Sequence, residues 1–208
     1  MQNLTAILVL ILSYLFGSVP WALVIGKVFY KKDIRNEGSG NLGASNAGRV
    51  LGKHVAVIVT VLDAFKALLS MLVAHYLAPG MEIFAGLACC IGHCFPIFAG
   101  FKGGKAVATS YGYLLGITLF FNHHYFFQFI FPIFVFFIML YLTKMVSISS
   151  LGSLFVAACI SLYFAIAEDS SFAIPVSLFL LWCFVTYRHK DNLKRIQDGT
   201  ENKVKWMG

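Results

Sequence analysis

The sequence predicts an all-α integral membrane protein of about seven transmembrane helices, with the N-terminus outside and the C-terminus cytoplasmic. Three observations carry this. Of 208 residues, 59% are hydrophobic and only 12% charged, whereas a soluble domain carries about 25% charged residues; so little charge cannot clothe a water-facing surface. Apolar stretches of near-membrane length follow one another along the whole chain. Basic residues fall in alternate connections between those stretches, the positive-inside pattern of a polytopic protein.

Crossing ~30 Å of hydrocarbon takes about 20 helical residues. The apolar stretches cover approximately 4–26, 54–78, 82–98, 107–121, 125–142, 148–167 and 172–187. The fourth and seventh are short by that measure, so they extend into their flanks or meet a locally thinned bilayer. The first has no Lys or Arg before Lys27 and no evident small-residue cleavage site. It reads as a membrane helix rather than a cleavable signal peptide. A single polytopic domain over 1–208 is expected, with no separate soluble module. The 21 Phe residues suit a lipid-exposed exterior.

After the first stretch come Lys27, Lys31, Lys32, Arg35, Arg49 and Lys53. Lys102 and Lys105 follow the third, and Lys144 the fifth. Arg188, Lys190, Lys194, Arg195, Lys203 and Lys205 follow the seventh. The intervening turns carry no Lys or Arg, and 168–171 is acidic. Fifteen of the sixteen Lys and Arg therefore lie in alternate connections, leaving Lys66 inside the membrane. A helix miscount would destroy that alternation.

The net charge of +7 would raise nucleic acid as a partner in a soluble chain. Here the charge sits in short loops, where it meets anionic lipid headgroups and small anions instead. Cys89, Cys90, Cys94, Cys159 and Cys183 all fall in apolar stretches and read as reduced, buried core residues. Cys90, His93 and Cys94 can share one helix face, but no carboxylate or second cluster supports a metal.

Three cytoplasmic segments, 38–49, 92–109 and 188–201, carry the chemistry. The first packs Gly, Ser and Asn, including Ser39, Asn41 and Asn46, into twelve residues that end on Arg49. Glycines let backbone N–H groups converge, Ser and Asn add neutral hydrogen bonds, and an Arg grips two oxygens of an anion. A flexible polar linker is the bland alternative.

The second segment runs from Gly92 and His93 to Lys102-Gly103-Gly104-Lys105 at the start of a helix. Paired glycines between lysines at a helix N-terminus make a phosphate cradle. Ala106 stands where a Walker A loop would have Ser or Thr, which disfavours nucleotide hydrolysis. Two lysines snorkelling at the boundary would be the plainer account.

The third segment begins Arg188-His189, with Leu193 and Ile196 spaced for an amphipathic helix leaving the bilayer. His189 and Asn192 share one face of it, and a His there handles protons near neutral pH. A polybasic lipid-binding tail is the competing reading. Ser147, Ser149 and Ser150 beside Lys144 serve ligand hydrogen bonds or helix capping. Asp63 and Lys66, three apart in the second helix, read first as a structural pair and second as a site.

These three segments, in this order and topology, resemble the bacterial acyl-phosphate:glycerol-3-phosphate acyltransferases, the PlsY family. The family pattern is approximately Gly-Ser-Gly-Asn-x-Gly-Ala-Thr-Asn…Arg, then Gly-His-x-Phe-Pro…Gly-Gly-Lys-Gly-Val-Ala-Thr, then Arg-His…Asn…Arg…Gly-x-Glu. Ser45 stands for the Thr, Ala106 for the Gly after Lys105, and Ala67 for a Gly often found after the Asp-x-x-Lys pair; no charged side chain is lost.

The resemblance implies acyl transfer from acyl phosphate to the 1-hydroxyl of glycerol 3-phosphate, releasing lysophosphatidic acid and inorganic phosphate, the first step of phospholipid synthesis. It implies catalytic roles for Ser39, Arg49, Lys105, His189 and Asn192. Asn41, Asn46, Gly92, His93, Lys102, Gly103, Gly104, Ser147, Ser150 and Arg188 would bind substrate; Asp63, Lys66 and Glu201 would be structural. It further implies the bacterial inner membrane with a cytoplasmic active site. No cofactor or metal is expected, nor nucleic acid. The partners are the two substrates and membrane lipid, in a functional monomer near an acyl-phosphate-forming enzyme.

Chemically, an acyl phosphate is already activated. Catalysis needs two anions held together by cations and amide donors, here Arg49, Lys102, Lys105 and Arg188 with Gly103 and Gly104. The proton goes to His189 or to the departing phosphate, the latter favoured, with His189 orienting. None of the six His has an Asp five residues on, so the His-x4-Asp chemistry of other glycerolipid acyltransferases is not expected. A membrane transporter of a phosphorylated anion is the alternative; it would be expected to place charges along a mid-membrane path.

Overall fold

The computed structural model describes residues 2–204; Lys205 lies outside them. All regular structure among these residues is helical. The chain divides into two compact units, Met1–Gly116 and Ile117–Gly208.

The first unit is built on α1 (Gln2–Gly17), α2 (Trp21–Tyr30), α3 (Ala44–Leu51), α4 (Lys53–Leu77), α5 (Glu82–Cys94) and α6 (Val107–Ile117, whose last residue begins the second unit). α1, α4 and α5 pack against one another. Leu4, Ile7, Leu8 and Ile11 of α1, with Val57, Ile58, Val61 and Phe65 of α4, stay exposed, an apolar exterior that fits lipid rather than water. Close helix approach comes from small residues, as is usual in membranes: a Cβ at Gly112 of α6 would collide with the Ala64 backbone of α4.

The first apolar stretch is not one helix. α1 and α2 meet at a 45° bend, where Pro20 has no N–H with which to continue the ladder. The carbonyls of Gly17 and Val19, released by the break, accept from Lys66 Nζ at 2.9 and 3.3 Å.

The second unit begins with π-helical turns Thr118–Asn122 and Tyr125–Ile130. It continues as α7 (Phe131–Thr143), α8 (Val146–Ala167), α9 (Ala173–Arg188) and α10 (Lys190–Gln197). α8 is central, packing on α7 and α9. Buried polar side chains fasten it: Gln128 Nε2 donates to Ala157 O at 3.0 Å, and Ser153 Oγ donates to Pro132 O at 2.5 Å. In hydrocarbon these bonds replace the hydrophobic drive that lipid cannot supply. Cys89, Cys90 and Cys94 are buried as expected, whereas Cys159 and Cys183 lie exposed on outward faces of α8 and α9.

Every one of the seven apolar stretches is helical. Among the described residues, four helices, Lys53–Leu77, Glu82–Ala99, Tyr125–Thr143 and Val146–Ala167, are each long and apolar enough to cross a membrane, and the bent α1–α2 pair counts as a fifth if it forms one span. α6 and α9, at 11 and 16 residues, are the short fourth and seventh stretches of the sequence.

Candidate active site

The segment after α2 is ordered by one side chain. Asn46, 1% exposed, accepts the Ser39 N–H at Oδ1 (2.8 Å). Its Nδ2 donates to the carbonyls of Ile34 and Glu37, both at 3.1 Å. Gly38 and Gly40 take positive φ around this staple (59° and 68°), a conformation favouring glycine. Ser39 is thereby presented at the surface. Asn46 was expected on the substrate; both of its amide hydrogens instead go to backbone.

The sequence predicts a loop over 38–49, whereas Ala44–Leu51 forms helix α3. Ala44, Ala47, Val50 and Leu51 recur at helical spacing and pack on a core containing Leu42, Val55 and Val59. That periodicity was hidden among Gly, Ser and Asn. Arg49 lies on the exposed face, donating to Ser45 Oγ at 3.0 Å. Asn41 is half-buried, with its Oδ1 close to Gly43.

Arg35, which the sequence marks only as one of the basic residues after the first stretch, adds a further cation here. Its guanidinium holds Asp33 through Nε (2.9 Å) and Nη2 (2.6 Å). Arg35 beside Asp33 keeps that carboxyl well below the usual carboxylate range. Arg35, Asn36, Gly40, Ala99 and Lys102 line a cavity of about 310 Å³. Only its basic character within a basic loop could have marked Arg35 from sequence.

The Gly-Gly-Lys segment is shaped by contact with the end of α5. A Cβ at Gly103 would meet His93 O and Pro96, and one at Gly104 would meet the His93 ring. The Gly104 N–H donates to His93 O at 3.1 Å. The expectation that Gly104 offers this amide to a phosphate is therefore corrected, since the bond is spent holding the segment to α5. Gly92 is likewise tight against the α1 backbone at Tyr14. Lys102 is exposed and Lys105 half-buried. Ala106 follows at φ 58°, and its carbonyl accepts the Ser110 N–H (2.7 Å) in α6.

Beneath this segment lie the membrane charges. Lys66 Nζ is 2.9 Å from Asp63 Oδ1 and 2.8 Å from His93 Nδ1, and His93 Nδ1 is 3.4 Å from Asp63. The expected Asp63–Lys66 pair is thus present, with His93 as a third member. His93 is 7% exposed, between Lys66 and Gly104.

In the second unit, His189 Nδ1 lies 2.8 Å from Val185 O, a bond only a protonated Nδ1 makes. In the neutral ring this leaves the lone pair on Nε2. Glu201 accepts from Asn192 Nδ2 (2.6 Å), Ser147 Oγ (2.8 Å) and Arg195 Nε (2.8 Å). Burial pushes this carboxyl up, but the three donors outweigh it and hold Glu201 below its ordinary value. Ser150 Oγ donates to Val146 O within its own helix (2.7 Å), and Arg188 is half-buried. Arg195, in the sequence one of the basic residues after the seventh stretch, is thus a partner of Glu201.

Each unit thus carries a set of polar residues on a membrane scaffold: cations with an ordered Gly-rich segment in the first, a buried His and a carboxylate clamp in the second. Such a set neutralises anions and handles a proton. A family model described as glycerol-3-phosphate acyltransferase matches residues 7–199. The glycerol-3-phosphate acyltransferase of Listeria monocytogenes serotype 4a is 42% identical over 99% of this chain and 100% of its own. That of Bacillus velezensis is 42% identical over 96% and 98%. Among solved structures, PlsY, an integral membrane glycerol 3-phosphate acyltransferase, in its glycerol 3-phosphate form has a TM-score of 0.83 at 31% identity, covering 96% of this chain and 95% of that one. Its lysophosphatidic acid form has 0.81 at 30%. With its three motif segments on an all-helical membrane scaffold, this chain belongs to the glycerol-3-phosphate acyltransferase family of the PlsY type.

Proposed function

We propose that this protein transfers a fatty acyl group from acyl phosphate to the 1-hydroxyl of sn-glycerol 3-phosphate. The products are 1-acylglycerol 3-phosphate and inorganic phosphate. The observation that carries this reading is the near full-length likeness to one enzyme in both a glycerol 3-phosphate and a lysophosphatidic acid form, a substrate and a product of this reaction.

The glycerol oxygen bonds to the acyl carbonyl carbon, the bond from that carbon to the phosphate oxygen breaks, and the hydroxyl proton leaves with the departing phosphate. In the first unit, Ser39, Arg49, Lys102 and Lys105 bind and neutralise phosphoryl oxygens, with Arg35 a further cation on the Lys102 cavity. Neutralising the leaving group is the main electrostatic task. In the second unit, Arg188 adds charge and His189, its tautomer fixed by Val185 O, orients the hydroxyl through Nε2. Asn192 is positioned by Glu201. Asn46 and Gly104 support their segments rather than the substrate.

The protein works as a monomer with seven crossings in the bacterial inner membrane, its N-terminus outside. The alternation of basic connections supports this orientation, which sets the reaction at the cytoplasmic face, near an enzyme that forms acyl phosphate. The test is incubation of purified protein with glycerol 3-phosphate and either acyl phosphate or acyl-coenzyme A, measuring lysophosphatidic acid and free phosphate. Product from acyl phosphate alone is expected; product from neither donor with folded protein overturns the enzyme, and product from the thioester alone overturns the donor.

A further inference from the structure

We propose that the buried Asp63–Lys66–His93 cluster is a positioning device for the Gly-Gly-Lys segment, setting the lysines that meet the anionic substrate. The inference rests on the function given above. An ammonium inside hydrocarbon is expensive, and an apolar residue of the same size usually serves stability as well or better. Lys66 is nonetheless 0% exposed.

Its contacts explain the choice. Lys66 Nζ meets carbonyls at the α1–α2 break (Gly17 and Val19), the Asp63 carboxylate one turn back on α4, and His93 Nδ1 at the end of α5. One cation therefore fixes the relative place of three separate chain segments. The far edge of the His93 ring lies where a Gly104 side chain would be, and His93 O takes the Gly104 N–H. Gly104 is one residue from Lys105 and two from Lys102. The outer edge of the imidazole thus limits how closely Gly104 can approach α5, and so sets the placement of the segment that carries both lysines. A second bond steadies the lever: Tyr14 Oη donates to Phe95 O at 2.9 Å. His93 thus acts through Gly104 rather than on substrate itself.

The test is a double-mutant cycle on the full-length protein with His93→Asn and Gly104→Ala. Asn keeps an acceptor near Nδ1 for Lys66 but deletes the outer ring edge; the Ala methyl collides with that edge. Displacing a substrate-binding group by a fraction of an ångström to 1 Å costs up to about a hundredfold. Each single variant should therefore lower kcat/KM for acyl phosphate by about tenfold or more. In the double variant the Ala methyl occupies the vacated space, so kcat/KM should recover toward wild type. Additive losses overturn the proposal.

A second measurement is independent of turnover. The rate at which a water-soluble acylating reagent labels Lys105 should change by about threefold or more in His93→Asn and move back in the double variant. Unchanged labelling across the set also overturns it. An inactive wild type would sink the functional reading alone, because labelling still reports on the segment.

Discussion

The Asn192 side-chain amide donates to Glu201 Oε1 at 2.6 Å, and that carboxylate also gathers Ser147 Oγ and Arg195 Nε. The residues after α10 therefore turn back onto the start of α8, and the Val204 N–H completes the return by donating to Lys144 O at 2.8 Å. Asn192 and His189 flank the first turn of α10, so the clamp holds the helix that carries both. A tail position thus fixes Asn192 directly and, through α10, the turn that carries His189.

Glu201→Gln keeps the shape but turns an acceptor into a donor facing Asn192, Ser147 or Arg195. A buried donor left without its acceptor costs about 1–3 kcal/mol, so thermal stability in detergent should fall by that order, with turnover falling through Asn192. Acid should act through the same group. The folded pKa of Glu201 lies below its ordinary 4.5, so its contribution is complete above that value and is lost as pH falls through the folded pKa. Amide exchange over 190–204 should stay protected at pH 5 and loosen only below 4.5. In Glu201→Gln the exchange should be fast throughout, and protection like that of wild type would refute the clamp.

Asn46→Asp probes the first segment by charge rather than size. The carboxylate still accepts the Ser39 N–H, but its second oxygen faces the Ile34 and Glu37 carbonyls where an NH₂ now donates. Repulsion replaces two bonds in a buried site, at a cost of about 3 kcal/mol or more. Asn46→Ala merely omits them. The expected order of melting temperature is wild type, then Ala, then Asp. If Asp equals wild type, the Nδ2 bonds are not holding the segment.

Much of this was legible in sequence because hydrocarbon enforces a simple rule. Backbone groups must be satisfied within each crossing segment, so runs of apolar residues mark where the helices lie. Short-range detail was less legible. The Gly, Ser and Asn around Ala44–Leu51 mask its helical face, and the carbonyls opened at the Pro20 break are met by Lys66, distant in sequence. Asn46, His93 and Gly104 were placed on substrate because motif order records importance, not partner. Asn46 bonds the Ser39 N–H and the Ile34 and Glu37 carbonyls, His93 meets Lys66 and Asp63, and the Gly104 N–H donates to His93 O, contacts that no residue pattern announces.

Arg49 offers the opposite case to Asn46. It is exposed, and its one described hydrogen bond goes to Ser45 Oγ, a contact worth little at a surface. Arg49→Ala should change stability by less than about 0.5 kcal/mol. The same variant should lower kcat/KM by about a hundredfold or more, the order expected for a charge-assisted contact to a phosphoryl group. Calorimetry and product assays on one preparation separate the two effects. A parallel loss of both would make Arg49 a structural residue instead.

Ala106 holds φ 58° with its methyl fully buried, at the position where the family pattern has glycine. A left-handed conformation costs an L-residue about 1–2 kcal/mol, which Ala106→Gly would relieve. Against this stand about 0.8 kcal/mol for one buried methyl and about 0.4–1 kcal/mol of added unfolded-state entropy. The terms nearly cancel, so the variant should melt within a few degrees of wild type and keep its KM, since the adjoining Lys105 has no cause to move. A loss above about 2 kcal/mol would mean that the methyl fills space α6 needs, and that this chain has repacked around its own departure from the pattern.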